Sequence, residues 1–391
     1  MENTIVLPRE AEPAVASHQS AIPWQGWIAV CGVACLPLGL LWDISWHSTI
    51  GRDTFWTPAH IVIQLGGLVP GLLFARLAFK ATFHGTPEDR AASVQIFGAR
   101  APLGAWITMW GAAAMVVSAP FDDWWHNTYG LDVQIVSPPH SILGLGMLAV
   151  TAGVLLFVFS WQNRASQQQQ TSSALLCALA AGVMLTLLCD FLTEFTFPNQ
   201  QHGAAFYRIS ALAFPLVLVL TARASQLRWP ATIAAGTYMS VLVLMVWILP
   251  LFPAHPKLAP IYNPVDHMVP PAFPLLLVLP ALGVDLVMQR ATKFSSDWLL
   301  ALVLAAVFLA IFVPTQWFFS IFLLSDAADN RFFARSGHWP YFVEPSELLN
   351  RFWDMRGQPL NGVQLAVAFV IAVISSRVGL WCGNYLLRVR R

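Results

Sequence analysis

Long apolar segments alternate with short polar ones over most of this chain. A helix that spans a bilayer needs about 20 largely apolar residues, and ten segments meet that requirement. We therefore predict an all-α fold, a polytopic membrane helical bundle of about ten transmembrane helices. The predicted spans are Trp27–Trp46, Ala59–Phe79, Leu103–Pro120, Pro139–Trp161, Ser172–Phe191, Ala205–Ala222, Ala231–Phe252, Pro270–Met288, Trp298–Leu324 and Val363–Leu387. Residues 1–25 contain no apolar stretch and are expected to form a disordered cytoplasmic tail.

The composition supports a membrane location. Of the 391 residues, 57% are hydrophobic and only 10% are charged, whereas soluble domains carry about 25% charged residues. The lipid bilayer is therefore the first expected partner. The net charge of +1 does not favour a polyanion, so we expect no nucleic-acid partner.

Basic residues mark one end of the predicted bundle. Its short connections hold Arg76, Lys80, Arg90, Arg100, Arg164, Arg223, Arg228, Arg290 and Lys293. Short cytoplasmic loops are enriched in Lys and Arg. We therefore expect both termini in the cytoplasm of a multi-pass protein of the bacterial inner (cytoplasmic) membrane. The opposite connections would face the periplasm.

Candidate chemistry begins where the first predicted span ends, in the stretch Trp42–His60. Asp43 and His47 are four residues apart, so a helix places them on one face. Gly51 and Pro58 then break the helix, and His60 would open the next span. If the chain turns back there, two imidazoles and one carboxylate converge near the periplasmic side, a ligand set suited to a metal ion.

The same pattern recurs in Asp122–His140, with one residue inserted in the connection. We call Asp43, His47 and His60 the first triad, and Asp122, His126 and His140 the second triad. A single Asp/His pair near a helix end also occurs as a cap or an ion pair. Its recurrence in register favours metal binding and predicts two tandem, parallel hairpin repeats. Residues 26–161 would form these metal-binding hairpins, and 162–391 would add further helices with an outer loop at 325–362.

Ligand type alone leaves the metal open. Two imidazoles and a carboxylate suit iron, copper or zinc. Zinc with an open position would imply hydrolysis, but no general base stands beside the triads. Haem between opposed histidines would leave the repeated aspartates unexplained.

Other polar residues near the triads and in the later spans are secondary candidates. Arg52, Asp53 and Asp132 are expected to fix the imidazole tautomers. Aromatic residues beside the triads could exclude water or anchor the chain at the membrane interface; they are Trp46, Phe55, Trp56, Trp124 and Trp125. Possible further sites contain Asp190, Glu194 and His202, and His255, Asp266 and His267.

The residues of these two stretches also carry a family resemblance. D-x-S-W-H followed by R-D-T-x-x-T-P-x-H resembles the C subunit of the particulate methane and ammonia monooxygenases, the membrane copper monooxygenases. In that subunit, Asp-His-His copper ligands have the spacing of the first triad, and a second copper site has the spacing of the second triad. The resemblance covers mainly residues 42–146 and fades after about Trp161.

The resemblance implies one or two copper ions, in preference to iron or zinc, with both triads as metal ligands and candidate catalytic residues. It also implies a monooxygenase, or a monooxygenase subunit, that oxidises methane, a short hydrocarbon or ammonia with dioxygen. Other monooxygenase subunits, or further copies of this chain, would be its protein partners.

This chain departs from the family in two respects. The second family site has Asn where this chain has Asp122, and about six further helices follow the matching part. The alternative function is copper handling, transport or assembly without oxygen chemistry. A transporter would need ligands along a path across the membrane, and the inner halves of the first four spans offer only Cys31 and Cys35.

Overall fold

The computed structural model describes residues 24–130 and 137–391, and in these ranges the chain is a bundle of helices. Nine of the helices described are long and apolar enough to cross a membrane. They are α1 (Trp24–Thr49), α2 (Pro58–Phe83), α4 (Leu103–Tyr129), α5 (Pro138–Gln162), α6 (Gln170–Phe191), α7 (Ala204–Ala224), α8 (Pro230–Ile248), α10 (Asp297–Leu323) and α12 (Gly362–Leu386). The shorter elements are α3 (Pro87–Ala91), β1 (Val94–Ile96), β2 (Ala99–Ala101), α9 (Val278–Met288) and α11 (Pro345–Leu348). The all-α membrane bundle is thus confirmed, whereas most of the predicted tail 1–25 lies outside the described residues.

Two antiparallel hairpins, α1–α2 and α4–α5, form the first part of the bundle. Small residues let their backbones approach closely, as is common between membrane helices. A Cβ at Gly39 would lie 2.8 Å from the Ile63 amide nitrogen, and one at Gly111 would lie 2.7 Å from the Val150 amide nitrogen. Because α4 packs antiparallel to α2, both hairpins run in the same direction, as the repeat predicted. We call the end of the bundle where α1 and α4 finish the site end.

The later helices pack against these hairpins around a shared apolar core. That core includes Phe74 and Phe159 from the hairpins and Phe214 and Phe312 from α7 and α10. Residues 26–161 and 162–391 therefore bury their apolar surfaces against each other. Burial of this kind orients the hairpins relative to the rest of the bundle.

A tenth segment, Pro270–Met288, also runs across the bundle, but only its second half is helical. The prediction of one helix over this range was therefore wrong. Pro270, Pro271 and Pro274 withhold backbone N–H groups, and helix α9 begins only at Val278. The segment begins at the site end, where the Val269 amide donates to Thr49 Oγ1 at 2.8 Å. Near its other end, Asp285 in the last turn of α9 accepts from the Thr232 amide in the first turn of α8. Non-helical backbone is tolerated at membrane depth when protein covers it.

Distant loops hold the end of α1 in place through backbone contacts. The Tyr341 amide donates to the Ser48 carbonyl at 3.1 Å, and the Lys257 amide donates to the Ile50 carbonyl at 2.9 Å. Gly51 has φ +80° and lies against the Tyr341 hydroxyl, so a side chain there would be both strained and obstructed. The connection that leads to His60 is therefore supported by the second part of the chain.

The outer loop contains a half-buried histidine whose charge state should affect stability. Burial lowers the pKa of His338 to about 4. The nearby Arg335 cation also lowers this pKa, whereas a hydrogen bond to the Pro270 carbonyl raises it. An unfolded chain has a histidine pKa of about 6.5. The unfolded state therefore takes up the proton first as the pH falls.

We expect the contribution of His338 to be complete above about pH 6.5 and to fall by up to about 3 kcal/mol as the pH drops to about 4. Replacing His338 with Asn should remove this part of the pH dependence. Unfolding in detergent at pH 7 and pH 4.5 would measure it, since all other groups cancel between the two proteins. The prediction would be refuted if the free energy of unfolding fell by the same amount between pH 7 and pH 4.5 in the wild type and the variant.

Candidate metal centre

The first triad assembles as its spacing predicted, where α1 ends and α2 begins. His60 Nε2 lies 3.1 Å from Asp43 Oδ1, and His47 Nε2 lies 3.8 Å from Asp43 Oδ2. One donor atom from each residue lies within 4.8 Å of the others. The i,i+4 pair comes from α1, and the turn through Gly51 brings His60 back to face it.

The second triad assembles in the same way at the ends of α4 and α5. Asp122 Oδ1 lies 3.4 Å from His126 Nε2 and 3.5 Å from His140 Nε2. Ser137 caps α5 by accepting a hydrogen bond from the His140 amide at 3.4 Å. Asp132, expected to act beside this triad, lies outside the described residues.

Backbone carbonyls fix the tautomer of one imidazole in each triad. His60 Nδ1 lies 2.9 Å from the Thr54 carbonyl oxygen, and His126 Nδ1 lies 3.1 Å from the Gly130 carbonyl oxygen. A carbonyl can only accept, so Nδ1 carries the proton and Nε2 keeps its lone pair for a metal ion. In both triads that Nε2 points to the aspartate.

One oxygen of each triad aspartate is buried without an ordinary hydrogen-bond donor among the described residues. Among the described residues, Asp43 Oδ1 and Asp122 Oδ1 have no hydrogen-bond partner of good geometry, although each faces imidazole Nε2 atoms. A metal ion with bonds of about 2.0–2.2 Å places neighbouring tetrahedral donors about 3.3–3.6 Å apart. The aspartate-to-imidazole separations of 3.1–3.8 Å lie close to that range, so an ion held between these groups would satisfy both buried oxygens.

Asp53 approaches the first triad as a fourth donor. Its Oδ2 lies 3.4 Å from His47 Nε2 and 3.5 Å from His60 Nε2. The hydrogen bond with His47 lowers the pKa of Asp53 despite partial burial of the carboxyl group, and both imidazoles contribute to the lowering. Asp53 is therefore ionised at neutral pH and can coordinate an ion directly.

The tautomer-fixing role expected of Arg52 and Asp53 stays a prediction, and the structure shows a different contact for each residue. Asp53 meets the Nε2 atoms, and the Arg52 side chain is exposed while its carbonyl accepts from Trp46 Nε1 at 3.0 Å. Thr54 and Gly130 do the positioning through their carbonyl groups. Since every residue type offers a carbonyl, no side-chain pattern could have revealed them.

Most aromatic residues near the triads face outward. Trp56 is 73% exposed, Trp124 52% and Phe55 50%, so interfacial anchoring describes them better than exclusion of water. Trp46 differs, because it packs against a small buried cluster that contains Ile50.

The secondary candidates do not form further metal clusters in the described part of the chain. Asp190 is buried, Glu194 is exposed, and His202 packs against the Trp317 ring with centroids 4.2 Å apart. Asp266 pairs with His267 at 2.7 Å, and His255 lies beside the Val265 carbonyl. Over residues 24–130 and 137–391, only the two triads bring three potential ligands together.

Comparison with known proteins identifies no protein similar to this chain. The chain matches none of the family models, none of the curated proteins and none of the solved structures with which it was compared. What is established is a multi-pass helical membrane protein with two Asp-His-His clusters at one end of its bundle.

Proposed function

We propose that this protein binds copper at both triads and acts as a monooxygenase, or as a subunit of one, on a small apolar or inorganic substrate. The observation that carries the proposal is the repeated geometry. At each of two sites, an aspartate oxygen without a donor faces an imidazole nitrogen whose tautomer a backbone carbonyl has fixed. A pair of structural caps would not require that arrangement twice.

Copper is favoured over iron and zinc by two arguments. Among divalent first-row ions, Cu²⁺ binds nitrogen and oxygen donors most tightly. The two stretches that carry the triads also resemble the copper-binding C subunit of the membrane methane and ammonia monooxygenases. Bound copper would supply the redox chemistry needed to use dioxygen.

The protein itself contributes position and charge. His60 and His126 present Nε2 in a fixed orientation, and Asp43 and Asp122 supply the negative charge that offsets the ion. Both sites lie at helix ends in a lipid-embedded bundle. Methane, a short hydrocarbon or ammonia could therefore arrive through the membrane or from its surface. Further copies of the chain or separate monooxygenase subunits would be its protein partners.

Copper handling, as a transporter or an assembly factor, is the second candidate. The exposure of His47, whose side chain is 47% accessible, favours it, because an exposed ligand can pass its ion to a partner. This candidate predicts copper binding without oxygen incorporation.

Isotope labelling distinguishes the two functions. The purified protein would be reconstituted in vesicles with copper, a quinol reductant and ¹⁸O₂, and offered methane, short alkanes or ammonia. The proposal predicts ¹⁸O in methanol, an alcohol or hydroxylamine, and loss of that product in His126→Ala or His47→Ala. Copper-loaded protein that gives no labelled product from any of these substrates would instead indicate copper handling.

Replacement of Asp53 by Asn tests the fourth donor of the first site. We expect copper affinity to fall by about 10- to 100-fold at that site only, as when a supporting metal-site residue is lost. Competition titration with a chelator would measure it. Asp123→Asn is the matched control, since Asp123 adjoins Asp122 but pairs with Asn127 Nδ2 at 3.2 Å. Equal affinities for the two variants would show that Asp53 is not a ligand.

A further inference from the structure

One carboxyl group inside the bundle has no hydrogen-bond partner among the described residues, and it lies outside both metal triads. Asp190 is the penultimate residue of α6 and is only 5% exposed. Among the described residues, neither of its oxygens has a hydrogen-bond partner, and no basic residue pairs with it. A carboxylate ion buried in apolar surroundings without donors is very unfavourable.

Asp285 shows how this fold supplies donors to a buried aspartate. It is 1% exposed, yet its oxygens accept from the Ala231 amide at 3.2 Å, the Thr232 amide at 2.8 Å and Thr232 Oγ1 at 2.7 Å. These donors form the first turn of α8, where the helix dipole also favours negative charge. Asp190 lacks all of this, so its neutral acid form is the stable one.

Polar groups connect the surroundings of Asp190 to the site end of the bundle. The Tyr238 hydroxyl lies near Asp190 and the neighbouring Cys189, and it accepts from the Leu275 amide at 2.9 Å. The next amide, at Leu276, donates to Gln316 Oε1 at 3.0 Å. We call this series, with its continuation below, the polar seam.

The polar seam continues to a surface turn. Gln316 Nε2 donates to Gln201 Oε1 at 2.6 Å, and Gln201 Nε2 donates to the Thr196 carbonyl at 2.8 Å. Thr196 directly follows the short helical turn Thr193–Phe195 in the α6–α7 connection. Buried amide side chains thus extend from the neighbourhood of Tyr238 to the α6–α7 connection at the site end of an otherwise apolar bundle.

The half-helical crossing contacts Tyr238, whose hydroxyl also lies near the Asp190 carboxyl group. Its extended part supplies the Leu275 and Leu276 amides of the polar seam, and α9 starts immediately afterwards. In membrane proteins, discontinuous helices next to an intramembrane carboxyl group often mark proton or ion sites. Two independent features, the unpartnered acid and the broken crossing, therefore coincide.

We propose that Asp190 is a proton-binding site inside the bundle, kept in its acid form by apolar surroundings that offer no donor to its oxygens. Binding forms the carboxyl O–H bond with a proton from water, and release returns that proton to water with the electron pair left on the carboxylate. The titratable groups that face it are Cys189 on α6 and Tyr238 on α8. The inference does not depend on the metal centres.

Dicyclohexylcarbodiimide, an apolar reagent that adds to protonated carboxyl groups, tests the proposal on the full-length protein in detergent. Peptide mass spectrometry should find the adduct on Asp190 at neutral pH, with Asp285 unmodified as the internal control. Asp190→Asn should lose the adduct. Labelling that sodium or potassium ions suppress at constant pH would overturn the proposal, because a metal cation would then be the ligand.

Infrared spectroscopy supplies a readout that does not depend on reagent access. The difference between wild type and Asp190→Asn should contain a carboxylic-acid C=O band that shifts in D₂O. A difference spectrum with carboxylate bands alone would show that Asp190 is ionised and would refute the proposal. Asp285→Asn should give those carboxylate bands, and it therefore provides the matched comparison.

Discussion

Replacing His47 with Ala is expected to remove one of two copper ions per chain, and replacing His126 with Ala is expected to remove the other. Each histidine belongs to one triad only, and a site left with a single imidazole besides its carboxylates binds copper far more weakly. The double variant should bind none. Metal analysis of purified protein, after dialysis against a moderate chelator, would give the stoichiometry.

His84→Ala is the control for the stoichiometry experiment. His84 is exposed at the carboxyl end of α2, remote from the triads along the helix, so its loss should leave both ions bound. Unchanged copper content in both His47→Ala and His126→Ala would show that the triads are not the metal sites.

Copper loading should also raise thermal stability strongly, and the increase should fall by about half when one triad is disabled. A ligand that binds only the folded state stabilises it by about 4 kcal/mol when its free concentration is 1,000 times Kd. Each triad joins two different helices through its hairpin, so an ion holds together groups that unfolding would separate. Thermal unfolding in detergent, with and without copper, measures this effect.

His60→Ala and His140→Ala are the variants for the unfolding experiment, because each removes the ligand from the second helix of a hairpin. Each should retain about half of the copper-dependent stabilisation, and the double variant should retain none. A rise in melting temperature that persists in the double variant would place copper elsewhere in the protein.

Much of this arrangement could be predicted from the sequence, since it follows from local rules. Apolar run length specifies the spanning helices. The four-residue separation places Asp43 with His47, and Gly51 with Pro58 turns the chain back towards His60. The recurrence of the pattern around Asp122 then predicted a second site without any long-range information.

The parts that could not be predicted depend on contacts between distant segments or on the backbone. The Tyr341 and Lys257 amides support the end of α1, and neither residue is marked by its side-chain chemistry. The Thr54 and Gly130 carbonyls orient the imidazoles, and any residue could supply them.

The extended segment through Leu275 and the absence of donors around Asp190 also depend on contacts between distant segments. An apolar run with prolines can be helical or extended, depending on which side chains satisfy its amides; here Tyr238 and Gln316 do so. The sequence predicts that Asp190 lies in the membrane, but the lack of a donor for its oxygens follows only from the packing of its neighbours.

Anomalous scattering at the copper edge, from crystals of the copper-loaded protein, tests the central claim most directly. The account predicts two peaks per chain, one between Asp43, His47 and His60 and the other between Asp122, His126 and His140. Copper peaks away from both triads, or triads without a peak, would contradict it.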